Sequence, residues 1–231
     1  MVILGVYLAV GRSTSPIPGS TLETLVDRAV PLSPAWVFVY AAVYLQVLAP
    51  VCTLTHPRVL DRTILGFLSI YLVAVPIWWF WPFSAPIREP LVLSDVSSYV
   101  LGMVRAIDPV TNCFPSMHVA FATLAALVVV RHDPPIGKIL FLTTALISAS
   151  TLLVEQHWLA DCVLGAALAV IADRIWLSRL EKSCFAPLPR AWHSVWVGLY
   201  LTLALGLMSS WWLGWMPLEW IQAPVVRPPA G

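Results

Sequence analysis

Two short stretches of this 231-residue chain carry side chains suited to phosphoryl chemistry. The first is Asn112-Cys113-Phe114-Pro115-Ser116-Met117-His118, and the second is Glu155-Gln156-His157-Trp158-Leu159-Ala160-Asp161. In the first, a proline followed by a serine suits a helix start, because Pro fits the first turn and Ser caps it. The free backbone N–H groups of such a start, aided by the positive end of the helix dipole, form an anion site. Ser116 would add its hydroxyl to that site, and His118 lies in the same first turn. In the second stretch, His157 and Asp161 are four residues apart and share a face if both are helical. A carboxylate bonded to one ring nitrogen fixes the tautomer and leaves the other nitrogen free to attack. Two histidines, a carboxylate and an anion cradle together point to phosphoryl transfer through a phosphohistidine.

The elements that must position these groups belong to a membrane. The chain is 59% hydrophobic and 11% charged, with 12 Trp, against roughly 45–50% and about 25% in an average soluble domain. That excludes a soluble globular domain, a disordered chain and a nucleic-acid binder, and a net charge of +1 gives no field to recruit a polyanion. Four Cys without a C-x-x-C pair argue against a disulfide scaffold and a structural zinc site. A span needs roughly 20 mainly apolar residues. Six segments qualify or nearly so, at about 36–55, 63–81, 116–131, 137–155, 158–177 and 192–214. Trp78, Trp79 and Trp81 close the second, Trp192 and Trp196 open the sixth, and Trp211, Trp212 and Trp215 close it, as an interfacial aromatic belt does.

The expected fold is therefore an all-α bundle of six transmembrane helices over residues 36–216, with an N-terminal interfacial segment over 1–35 and a tail over 217–231. The apolar stretch 1–11 is half a span long and lacks a basic n-region, so it reads as an interfacial start rather than a signal peptide. In the second loop, Val92, Val96, Tyr99, Val100, Met103 and Ile107 recur at helical spacing opposite Asp95, Ser98 and Arg105, which predicts an interfacial amphipathic helix. Six spans sort the basic residues eight against five. The larger set (Arg58, Arg62, Arg131, Lys138, Arg174, Arg179, Lys182 and Arg190) goes to the cytoplasm by the positive-inside rule. Both chemistry-bearing stretches then fall on the non-cytoplasmic face.

Phe114-Pro115-Ser116-Met117-His118 and His157-Trp158-Leu159-Ala160-Asp161 resemble the second and third motifs of the type 2 phosphatidic acid phosphatase superfamily. The wording of both stretches, and of Asp27-Arg28-Ala29-Val30-Pro31, is closer to the branch of inositolphosphoryl-ceramide synthases and their bacterial relatives. The likeness covers about residues 25–180. It implies that His157 is the nucleophile, that Asp161 orients it, that His118 protonates the leaving alkoxide and that Ser116 binds phosphate oxygens. No metal or other cofactor is implied. The phosphatases usually carry a Lys seven residues before the Arg of the first motif and an Arg six residues before the nucleophilic His. Here those positions hold Trp81 and Thr151, which leaves Arg88 and then Arg105 as the candidate phosphate cations.

The reading that follows is an integral membrane lipid phosphatase or phosphotransferase. It would cleave a lipid phosphate ester and pass the phosphoryl group to an alcohol, as an inositolphosphotransferase does, or to water. Its partners are the bilayer, a membrane lipid phosphate and an alcohol acceptor. Two other readings stand beside it. One is a lipid-binding or lipid-translocating protein with a decayed site, prompted by the missing cations. The other is a metal enzyme using His118, His157 and Asp161. Glu155 reads as a solvated loop acid, and Asp108 and Asn112 read as loop caps. Cys113 and Cys162 flank the motifs, where a disulfide would be permitted. His56, His132 and His193 read as interfacial.

Overall fold

Proline and short polar caps start the long helices. His56 accepts the Arg58 N–H at 3.2 Å just before Pro57, and Asp133 accepts the Ile136 N–H at 3.0 Å just before Pro134. The computed structural model describes residues 2–54, 56–86 and 90–185, together with 198 and 202. Among them are eight α-helices and no strand: α1 (Val2–Ser13), α2 (Leu25–Ala29), α3 (Val37–Thr53), α4 (Pro57–Phe80), α5 (Val96–Ile107), α6 (Met117–His132), α7 (Pro134–Leu153) and α8 (Leu159–Trp176). Asp133 is at once the C-cap of α6 and the N-cap of α7, so those two helices fold back on each other through a single residue.

The centre of the bundle is α6, which packs against α3, α4, α7 and α8. Its residues from Val119 to Val129 are buried on nearly every side, as expected of a helix that is apolar all round. Ala120, Leu124 and Val128 meet Val59 and Ile70 of α4 and Ala169 and Ala172 of α8, while Ala122 meets Val43 of α3 and Ile147 of α7. A polar amide sits within this core. Gln46 Nε2, with two hydrogens to give, lies 3.0 Å from the carbonyls of Ala122 and Leu140 and 2.6 Å from Thr144 Oγ1, and Gln46 Oε1 accepts from Thr143 at 2.5 Å. The outer faces of the bundle are apolar, with Tyr44, Leu48, Leu72, Leu142 and Val163 each more than half exposed.

Three helices are long and apolar enough to cross a membrane: Pro34–Thr53 (a 3-10 turn running into α3), Pro57–Phe80 and Pro134–Leu153. They correspond to the first, second and fourth expected spans. The third and fifth expected spans are α6, of 16 residues, and α8, of 18 residues with Asp161, Asp173 and Arg174 within it. The expected sixth span at 192–214, its tryptophans, His193 and the 217–231 tail lie outside the described residues.

Two details differ from expectation. Trp78 does not face an interface: it is fully buried, packed with Val10, Tyr71 and Ala74, with the Tyr7 ring edge-on at 5.4 Å. Only Trp79 and Trp81 point outward. His132 is also buried, because α6 ends against its neighbours rather than in a loop. The second-loop helix forms as α5, with Ser98 and Leu101 turned inward and Met103 and Ile107 at least half exposed. Its apolar edge faces away from the protein, the reverse of a helix on a water-soluble domain.

Candidate active site

The two sequence stretches meet because α6 and α8 begin side by side. The Ser116 N–H donates to the Asp161 carbonyl at 3.0 Å. One turn further along α8 is Gly165, where a Cβ would run into the Ser116 carbonyl oxygen and stand 3.3 Å from Ala120 N. Glycine is required there by the close approach of the two backbones.

His157 is not helical, contrary to the spacing argument. It immediately precedes Trp158, the N-cap of α8. Asp161 is the third residue of the helix and folds back, so its Oδ2 accepts the Trp158 N–H at 2.8 Å and reaches His157 Nδ1 at 3.3 Å. The pair is made by a capping turn rather than a shared helix face. His157 Nδ1 also lies 2.8 Å from the Cys113 carbonyl. A carbonyl oxygen only accepts, so Nδ1 carries the hydrogen and Nε2 carries the lone pair. That Nε2 lies 3.2 Å from His118 Nδ1, which must then be the donor. The His118 ring rests on Tyr40, with centroids 4.3 Å apart. An oriented nucleophile therefore faces a proton-bearing imidazole, with His157 buried and His118 half-buried.

The strand of chain entering His157 is held just as firmly. Glu155 has φ 56°, the left-handed region that residues other than glycine and asparagine seldom adopt. This turns the chain sharply after α7, and the N–H groups of Gln156 and His157 both donate to the Thr151 carbonyl, at 3.0 and 3.2 Å. Glu155 is not a solvated acid: it is 1% exposed, and Arg105 donates to its Oε2 at 3.1 Å. Asp27 is a site-supporting residue that motif reading gave no role. Its Oδ1 accepts the Leu159 N–H at 2.9 Å, and its Oδ2 accepts the Thr24 N–H at 2.7 Å. The Asp27 stretch noticed in the sequence thus caps the helix that carries Asp161.

A cleft opens onto the two histidines, lined also by Tyr7, Tyr40, Asp108, Asn112 and Gln156. Asp108 is not merely a loop cap. Its Oδ2 accepts from Tyr40 Oη at 2.9 Å and its Oδ1 from Tyr7 Oη at 3.5 Å. Burial raises the Asp108 carboxyl above the ordinary carboxylate range, and burial, followed by the Asp108 charge, raises the Tyr7 phenol. Asn112 Nδ2 donates to the Tyr7 carbonyl at 2.7 Å. Gly11 packs so tightly on Pro109 that no Cβ would fit. α1 therefore roofs the cleft. The spacing of Tyr7 and Gly11 on one helix face is the sequence signal for this, but it does not say what that face meets.

Of the expected site residues, His118, His157 and Asp161 come together. Ser116 is fully buried and uses its Oγ to cap α6, accepting the Val119 N–H at 3.4 Å. Arg105 is engaged with Glu155, and neither Ser116 nor Arg105 lines the cleft. Arg88 lies outside the described residues. Cys113 and Cys162 are free thiols, with Cys113 Sγ at 3.3 Å from the Phe83 carbonyl and Cys162 Sγ at 3.2 Å from Thr151 Oγ1. Burial raises the Cys113 thiol well above its ordinary value.

No curated protein and no solved structure gives a significant match to the chain. A family model described as the PAP2 superfamily matches residues 18–175, from the segment before α2 to the last turn of α8, and so takes in both histidines and Asp161. Since the match covers well over half of its length, the chain belongs to the PAP2 superfamily and has a membrane lipid-phosphatase-type function.

Proposed function

We propose that the protein cleaves a lipid phosphate ester through a phosphohistidine on His157. The observation that carries this reading is the hydrogen-bond order running from the Cys113 carbonyl through His157 to His118, which leaves the His157 Nε2 lone pair directed at a proton-bearing partner 3.2 Å away. When a phosphate ester enters, it takes the place of the His–His hydrogen bond. Nε2 attacks phosphorus, the N–P bond forms and the P–O bond to the leaving alkoxide breaks. His118, entering the step protonated on both ring nitrogens, gives its Nδ1 proton to that oxygen and is left neutral. Asp161 and the Cys113 carbonyl stabilise the charge that builds on the His157 ring. In the second half an incoming hydroxyl attacks phosphorus, the N–P bond breaks, and the hydroxyl proton returns to His118. If the acceptor is an alcohol the protein is a phosphotransferase of the inositolphosphotransferase kind; if it is water, a phosphatase. Ser116, Arg105 and Arg88 are the proposed phosphate ligands, and Ser116 and Arg105 would have to exchange their present partners to serve. The mechanism derived from these residues draws on no metal or cofactor.

The same reading makes α6 and α8 membrane spans beside the three longer helices, with a sixth span at 192–214. α5 then lies in the interface with its exposed apolar edge in lipid, and the cleft opens on the non-cytoplasmic side. Trapping tests the chemistry. Incubation of the detergent-solubilised protein with phosphate-labelled phosphatidic acid, phosphatidylinositol or an isoprenyl pyrophosphate, followed by quenching, should leave acid-labile label on His157. Label elsewhere, or label that survives His157→Ala, would overturn the assignment.

A second reading is favoured by the absence of Lys and Arg from the described residues lining the cleft. The protein would then bind or translocate lipids without cleaving them. Lipid movement in reconstituted vesicles that is unaffected by His157→Ala, with no label trapped, would establish it.

A further inference from the structure

Two amide atoms of residues that line the cleft have no partner in the protein. Asn112 is 3% exposed; its Nδ2 is satisfied by the Tyr7 carbonyl, but its Oδ1 accepts nothing. Gln156 is 7% exposed, and its Nε2 donates to nothing. Both line the cleft together with His118 and His157. A buried amide left unsatisfied is disfavoured, and one orphan is an acceptor while the other is a donor. The cleft has room for about one water-sized group.

We propose that Asn112 and Gln156 form the subsite of the attacking water. Four directions then satisfy one oxygen. One O–H donates to Asn112 Oδ1, the second O–H faces His118 as base, one lone pair accepts from Gln156 Nε2, and the other lone pair meets phosphorus. An alcohol has a single O–H, so it leaves either Asn112 or His118 unserved. A phosphate oxygen serves Gln156 alone, and a cation serves Asn112 alone. The inference rests on the phosphohistidine reading and specifies its second half. The O–P bond forms, the N–P bond to His157 Nε2 breaks, the leaving lone pair returns to Nε2, and the second proton of water passes to His118. Asn112 and Gln156 hold the oxygen and exchange no proton. Water is thereby favoured over alcohols as acceptor.

Gln156→Met tests this, since the side chain keeps its length and no side-chain hydrogen bond to the protein is lost. The labelling probe is phosphoramidate, a small donor that phosphorylates imidazole without any lipid. Wild type should take acid-labile label on His157 and release it as inorganic phosphate. Gln156→Met should take label to the same extent, which also reports an intact site, and should hydrolyse it at least tenfold more slowly. With methanol added, the variant should pass a larger share of phosphoryl to methanol than wild type does. Decay at the wild-type rate with an unchanged methanol share would overturn the proposal, as would parallel loss of loading and decay. Failure of the underlying phosphohistidine reading looks different: wild type takes no label, or His157→Ala keeps it.

Discussion

Replacing Gly165 by alanine adds one methyl group at the place where the two halves of the site touch. The new carbon would sit well inside the 3.0 Å that real Cβ atoms keep from a neighbour, and what it meets is the Ser116 backbone oxygen, which has no rotamer to swing away. α8 must then withdraw from the start of α6 by roughly half an ångström or more, since close-packed interiors relax little. The Ser116 N–H bond to the Asp161 carbonyl, now 3.0 Å, would stretch towards the limit of a useful hydrogen bond. His157 rides on the same helix start through Asp161, whereas His118 belongs to α6, so their 3.2 Å separation opens with it.

Overpacking of this kind costs about 1–3 kcal/mol, offset by up to about 1 kcal/mol because alanine favours a helix interior over glycine. A net stability loss of about 1–2 kcal/mol is expected. Catalysis should suffer more. A 1 Å misplacement of reacting groups can cost on the order of 10²-fold, so kcat should fall by roughly 10- to 100-fold with KM little changed. The assay is turnover of a labelled lipid phosphate in detergent, alongside thermal unfolding. Gly102→Ala is the control, because a Cβ there meets only side-chain ends, Leu93 at 3.4 Å and Leu91 at 3.7 Å. If Gly165→Ala turns over and melts like wild type, the spacing of α6 and α8 does not set the geometry of the histidine pair.

Three further perturbations separate support from chemistry. Asp27→Ala removes the acceptor of the Leu159 N–H and should cost about 1–3 kcal/mol and at least tenfold in kcat. Asp27→Asn keeps an acceptor oxygen and should restore most of both, and equal damage by the two variants would refute the capping account. Gln46→Leu deletes the two hydrogen bonds its amide can donate and the one it accepts. At about 0.6 kcal/mol each within a bilayer, about 2 kcal/mol of stability should go, with turnover within twofold; lost turnover at unchanged stability would contradict this. The Asp108 carboxyl is raised by burial, so the folded protein binds its proton more tightly than the unfolded chain does. The stability it contributes is present below the ordinary carboxylate range and is lost as pH rises through its raised value. Asp108→Asn should flatten that part of the pH–stability profile, and parallel melting profiles would show that Asp108 does not titrate there.

Helix type and approximate position can be read from the apolar runs, but those runs place the starts late: the second and fourth spans are expected from about 63 and 137, whereas Pro57 and Pro134 open them, each preceded by a capping side chain. The His118 and His157 stretches were legible because each is a short turn whose residue types already imply an anion or an oriented imidazole. What spacing could not reveal is which polar flank meets a distant partner. Glu155 looks solvated until Arg105, fifty residues earlier, is brought beside it. Trp78 looks interfacial until α1 folds over it. His157 looks helical because four-residue spacing is shared by a helix face and by a capping turn, and only the backbone at Trp158 distinguishes them.

The way polar groups are distributed within the bundle bears on where the reaction takes place. Buried charge costs several kcal/mol unless it is paired, whereas an unmet neutral amide costs about 1–3 kcal/mol. The buried acids each have a strong partner: Asp27 caps α8, Glu155 pairs with Arg105, Asp173 pairs with Arg131, and Asp161 holds Trp158 and His157 through Oδ2, while its Oδ1 has no partner. In the cleft, unmet hydrogen-bonding capacity resides instead in Asn112 Oδ1 and Gln156 Nε2. Neutral groups can wait there for a ligand without unfolding the site or altering the charge on His157. A charged group in either place would compete with the imidazole for its proton, or would bind the phosphate where the incoming oxygen has to go. The cheaper vacancy is thus also the one compatible with a nucleophile that must recover its lone pair at the end of each cycle.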